Sequence, residues 1–155
     1  NNINTLNQIT EALYTRIIRA YKEKSVFRVY VVMPLLPAFE GEIGQASGAS
    51  IQAVTHWNYA SICRGKDALL NRLKDHGIPD PSQYITFYGL RTHSILCGEP
   101  VTELIYVHSK LMIVDDKIVI CGSANINDRS LLGKRDSEVA VIIEDEVFED
   151  WEEVD

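Results

Sequence analysis

His108 and Lys110 stand two residues apart, Asp115 follows the lysine by five, and Gly122-Ser123-Ala124-Asn125 closes the next short apolar run. The stretch from Tyr106 to Asn125 therefore reads H-x-K-x4-D-x6-G-S-x-N. An imidazole attacks phosphorus or passes a proton near neutral pH. An ammonium beside it holds a phosphate oxygen and stabilises the charge that grows in the transition state. The Ser123 hydroxyl and the Asn125 amide would add neutral hydrogen bonds to the same oxygens, and Gly122 would let the backbone come close. Nucleophile or acid, cation and donors are what a metal-free phosphoryl site needs. Taken singly, His-x-Lys at a strand end is more often ordinary surface, and Gly-Ser-Ala-Asn more often a turn. Their combination at fixed spacing, each flanked by an apolar strand, points to half of a phosphodiesterase site, because the motif occurs once.

These residues need two strands and a turn to hold them. Leu104–Val107 and Lys110–Val114 have strand character, Asp115-Asp116-Lys117 is a hairpin turn, and Ile118–Cys121 is the return strand. In an extended chain, residues two apart face the same side, which would bring His108 and Lys110 out together, and likewise Ser123 and Asn125. Asp115 is read as structural, its carboxylate bonding local amides and bracing the loop, with the lysine as a further candidate partner. Glu138, in Asp136-Ser137-Glu138 at the head of a last strand Ser137–Ile143, is the candidate that fixes the second nitrogen of His108.

The remaining elements follow from periodicity. Thr5–Lys24 has apolar residues at helical spacing (Leu6, Ile9, Leu13, Ile17, Ala20) and basic residues towards its end. Val26–Met33 is a buried strand stopped by Pro34 and Pro37, and Leu35–Ser50, rich in Gly, Ala and Ser, is a long surface loop. Ile51–Cys63 and Lys66–His76 are helices broken around Arg64-Gly65, with Gly77 as the terminating residue of the second. Tyr84–Tyr88 is a strand, Gly98-Glu99-Pro100 a turn, and Ile126–Leu132 a short helix or turn. The order predicts an α/β fold, a layered mixed β-sheet flanked by helices.

The chain has 155 residues, 46% apolar and 24% charged, enough for one core. Its net charge of −7 is carried by the end: Glu144–Asp155 holds eight acids and no base, leaving 14 acids against 15 bases elsewhere. Residues 144–155 are therefore read as a solvated acidic tail. Three scattered cysteines, with no CxxC pair, fit a reduced intracellular protein, with Cys121 as a small core residue. No apolar run reaches the roughly 18 residues that span a bilayer, so membrane contact would be peripheral. No metal-ligand spacing is present, and bases are not interleaved with aromatics as on a nucleic-acid platform. His56 is read as a packed core residue, His76 as a helix-end cation and His93 as a loop residue.

HxKxxxxD (His108, Lys110, Asp115) followed by GSxN (Gly122, Ser123, Asn125) resembles the phospholipase D superfamily. PLLPAFEG at 34–41, HWNYASICRG at 56–65, FYGLRTH at 87–93, YVHSK at 106–110 and GSANINDRSLLGKRDSEVAV at 122–141 resemble the C-terminal catalytic half of its eukaryotic phosphatidylcholine-hydrolysing members, over about Ile9 to Asp145. The resemblance implies hydrolysis of phosphatidylcholine to phosphatidic acid and choline, or transfer to a primary alcohol, through a phosphohistidine and without a cofactor or metal. It implies that His108 is the acid/base, that Lys110 and Asn125 hold phosphate oxygens with Ser123 in support, and that Glu138 orients the imidazole. It also implies an N-terminal half carrying the first HKD motif as partner, peripheral location on the cytoplasmic face of a membrane, and no nucleic-acid partner. Residues 1–155 are then one C-terminal lobe of a larger enzyme, inactive alone, with Asn1–Asn4 resembling a cut rather than a natural start. Two other readings stand beside this one: a one-motif phosphodiesterase or nuclease completed by homodimerisation, and a non-catalytic interaction module.

Overall fold

The computed structural model describes residues 5–145. The expectations for Asn1–Asn4, and for the acidic tail beyond residue 145, lie outside these residues. Helices and strands share the chain as the mixed α/β reading expects, with the strands in three small sheets, one parallel and two antiparallel. The chain divides into two compact units: Gln8–His108, and Thr5–Asn7 together with the chain from Ser109 onward.

The first unit is built on apolar packing. Helix α1 (Ile9–Glu23) starts four residues later than the periodicity predicts, because Leu6 and Asn7 belong to the other unit. It ends where Lys24 turns left-handed, so that the Lys24 and Ser25 N–H groups bond back to the Tyr21 and Ala20 carbonyls. Strand β1 (Val29–Val32) lies parallel to β2 (Ile85–Tyr88). Helix α2 (Ala49–Tyr59) takes the end of the expected loop, runs into a π-helical turn at Ala60–Arg64, and is followed by α3 (Leu69–Asp75). The Asn71 side-chain amide donates to the Cys63 and Gly65 carbonyls and pins that break. At the end of α3, Gly77 takes φ +99°, and the Gly77 and Ile78 N–H groups donate to Lys74 and Leu73, as its spacing predicts. Ile17, Ile18, Leu69, Leu73, Ile78 and Ile85 form one buried cluster, flanked by Leu13, Phe27 and Phe87. Burying each of the fully covered members is worth about 1.5–3 kcal/mol relative to leaving it exposed.

Three readings are corrected in this unit. The chain from Leu90 to Ile105 is a hairpin, β3 (Leu90–Leu96) with β4 (Glu99–Ile105), so His93 lies in a strand, where its Nδ1 is 3.0 Å from the Thr102 hydroxyl. The turn is Cys97-Gly98, both at positive φ, and Glu99 and Pro100 already belong to the strand. Pro100 faces Ile95 in the pair beyond the one that closes the turn. That is a position whose N–H points away from the partner strand, so the proline costs no ladder bond. His56 is exposed on α2, edge-on to the half-exposed Trp57, and is not a core residue.

The second unit is a three-stranded antiparallel sheet, β5 (Leu111–Val114), β6 (Ile118–Gly122) and β7 (Ala140–Glu144), in the order β5-β6-β7. Between β6 and β7 lies a short helix, α4 (Asp128–Leu131). Cys121 is exposed, because the sheet leaves much of its apolar surface uncovered. Among the described residues no helix is long and apolar enough to cross a membrane.

Candidate active site

The HKD residues are distributed differently from the strand reading. Residues 106–110 are an irregular connection between β4 and β5, so the alternation that would align His108 with Lys110 does not apply. His108 closes the first unit, where its ring is 5.9 Å from that of Tyr106, and Lys110 belongs to the second. The Lys110 carbonyl accepts the Gly122 N–H at 3.2 Å, which fixes the main chain of the lysine beside the start of the Gly-Ser-Ala-Asn segment. Asp115 turns the hairpin as expected: Asp115 and Asp116 both adopt left-handed φ values, and the Lys117 N–H donates to the Val114 carbonyl.

Gly122 has a steric reason to be glycine. A Cβ there would lie 2.5 Å from the Val139 carbonyl oxygen and 2.7 Å from the Ala140 Cβ. Past it the chain bends at Ser123 rather than continuing extended, so Ser123 and Asn125 are not placed by strand alternation. Hydrogen bonds place them instead. The Ser123 N–H donates to the Val139 carbonyl, and the Val139 N–H donates to the Ser123 hydroxyl oxygen at 3.0 Å. The same hydroxyl donates its proton to Glu138 Oε2 at 2.5 Å. The Asn125 N–H donates to Ser130 Oγ at 3.2 Å, while the rest of Asn125 stays exposed.

Glu138 is the hub of this arrangement. The Ser123 hydroxyl first, then that of Ser130, hold its carboxyl below the usual glutamate range, and the Lys110 ammonium acts in the same direction. Lys110 is thus within electrostatic reach of the carboxylate. Around the hub, Asn127 caps α4 by accepting the Ser130 N–H, and Arg129 holds Asp136 at 2.6–2.7 Å. Asp128 accepts the N–H groups of Leu6 and Asn7 and the Asn7 side-chain amide, which joins the start of the described chain to α4. Ser130 and Asp128 were not singled out in the sequence. Their only signal was their place in the short helix or turn expected at Ile126–Leu132. Among the described residues no group of three His, Cys, Asp or Glu side chains is placed to hold a metal ion.

The sequence of the chain is similar to known proteins over most of its length. The family model for phospholipase D matches residues 91–143. The chain is 55% identical over 144 residues to phospholipase D2 of Bos taurus, covering 93% of this chain and 15% of the relative. It is 56% identical over 139 residues to phospholipase D1 of Homo sapiens, and 52% identical over 141 residues to phospholipase D zeta 1 of Arabidopsis thaliana, covering 90% of this chain and 13% of each relative. The chain belongs to the phospholipase D superfamily. It spans about a seventh of the length of these relatives.

Proposed function

We propose that the chain supplies one wall of a phospholipase D active site, which hydrolyses phosphatidylcholine to phosphatidic acid and choline through a phosphohistidine. A histidine of the first, N-terminal HKD half, not in this chain, attacks phosphorus. As the P–N bond forms and the P–O bond to choline breaks, His108 gives its proton to the leaving oxygen. His108 then takes a proton from water, which attacks phosphorus and releases the first histidine. A primary alcohol in place of water gives phosphatidyl transfer. Lys110 and the exposed Asn125 amide hold phosphate oxygens. Ser123, whose hydroxyl proton is committed to Glu138, supports them from behind. Glu138 orients the imidazole, Asp115 shapes the hairpin below, and a single histidine cannot serve both faces of the phosphorus, so this half is inactive alone. The working location is the cytoplasmic face of a membrane, held peripherally.

The observation that carries this reading is the bracing of the Gly-Ser-Ala-Asn segment beside Lys110. Two hydroxyls, a carboxylate and paired main-chain bonds preorganise donors where a phosphate would sit. The test is His108→Asn in the full-length protein. Choline release from phosphatidylcholine vesicles should fall at least about 100-fold, the scale of a lost general acid/base, with circular dichroism unchanged. Activity near wild type would sink the assignment.

A further inference from the structure

Ser130 is the one polar side chain that is buried among the described residues, with 8% of its surface exposed. A buried hydroxyl has to satisfy both its donor and its acceptor capacity or carry a desolvation cost. Its oxygen accepts the Asn125 N–H at 3.2 Å, and its hydroxyl lies near enough to Glu138 to help hold that carboxyl below the usual glutamate range. Its own main chain is fixed as well, because its N–H donates to the Asn127 side chain that caps α4. Glu138 meanwhile accepts the Ser123 hydroxyl, and Ser123 accepts the Val139 N–H. One chain of bonds therefore runs from Val139 through Ser123 to Glu138, and another from Asn125 through Ser130 to Asn127. Each hydroxyl receives a backbone N–H, and that of Ser123 passes its proton to the Glu138 carboxylate.

We propose that Ser130 is a positioning residue of the phosphodiester site: its hydroxyl locks the main chain of Asn125 to the capped start of α4, so that the Asn125 end of the Gly-Ser-Ala-Asn segment keeps a fixed position. This rests on the functional reading above. Ser130 lies behind Asn125 and acts through it, without touching substrate. Losing the lock lets the Asn125 amide drift from the phosphate oxygen it meets in the transition state. Displacements of that size cost turnover more than ground-state binding.

The experiment uses the full-length protein with Ser130→Ala and Ser130→Thr, assayed for choline release from phosphatidylcholine vesicles. Thermal unfolding and amide hydrogen exchange at Asn125 are measured alongside. Ser130→Ala should lower kcat at least about tenfold, leave KM within about twofold, leave the unfolding temperature close to wild type and speed exchange at Asn125. Ser130→Thr, which keeps the hydroxyl, should recover most of the turnover. A Ser130→Ala protein with more than half the wild-type kcat overturns the inference. So does an equal loss in both variants that tracks a fall in unfolding temperature, since that marks a packing role alone. Wild-type protein without choline release sinks the functional reading, and this inference with it, whereas active wild type with an indifferent Ser130→Ala sinks only the inference.

Discussion

The two units hold themselves together by different means. In the first, α1, α3 and β2 close over Ile17, Leu73, Ile78 and Ile85, each at most 2% exposed. In the second, the sheet residues Leu111, Met112, Ile113, Val141, Ile142 and Ile143 are all more than half exposed, and the ordered part is a polar lattice around Glu138, Ser123, Ser130 and Asp128. Apolar burial is non-directional and fixes a fold without fixing a side chain to a few tenths of an ångström. Hydrogen-bond lattices are directional, and they are what a site needs to hold donors in place. The residues proposed to meet phosphate lie in or beside the lattice.

The contrast is sharpest at Leu73. Leu73→Ala removes a fully buried side chain and should cost the first unit about 2–5 kcal/mol, read by hydrogen exchange at α1, α3 and β2 in the full-length protein. A cost below about 1 kcal/mol would mean that the cluster does not hold that unit. The matching change in the second unit is Gly122→Ala. It forces a methyl against the Val139 carbonyl and should cost about 1–3 kcal/mol, the scale of overpacking, with loss of choline release because Ser123 moves with Val139. Wild-type turnover in this variant would separate the strand contact from the site.

The smallest and most diagnostic effect is acid. Glu138 is lowered by the hydroxyls of Ser123 and Ser130, and Asp128 chiefly by the Leu6 N–H, then by Asn7. A carboxyl depressed in the folded state adds stability above its unfolded value, about 4, and loses it as pH falls through the lower folded value. Amide protection at Leu6, Asn7 and Val139 should therefore fade as pH drops from 4 towards 3, while the Leu73 region keeps its protection. In the first unit Asp80 is depressed too, by the Ser82 hydroxyl and N–H, but it serves only a local turn. If Leu6 and Val139 stay protected at pH 3, or lose protection above pH 5, the lattice is not carboxylate-based.

What the sequence made legible follows the same divide. Periodic apolar residues marked α1, α3, β1 and β2, since burial writes itself into residue type. The Asp115-Asp116 turn and the Gly77 terminus were legible because left-handed backbone selects few residues. The β3–β4 hairpin was not, because RTHSIL and EPVTEL alternate without a buried face and Pro100 suggested a break. The site was visible as types and spacing but not as geometry. Strand alternation was the wrong device for His108 and Lys110, which lie in an irregular connection. The role of Ser130 depends on Asn125 and Glu138 meeting it from both sides in sequence, a tertiary fact with no local pattern.

The open sheet of the second unit also has a colloidal consequence. Val139–Ile143 reads V-A-V-I-I, without charge or proline, and among the described residues nothing pairs with the outer edge of β7. Such an edge is a template on which another extended chain can add. Handling this chain by itself at high concentration invites strand-on-strand stacking, and a lysine placed at Val141, on the exposed β7 surface, is the simplest gatekeeper against it.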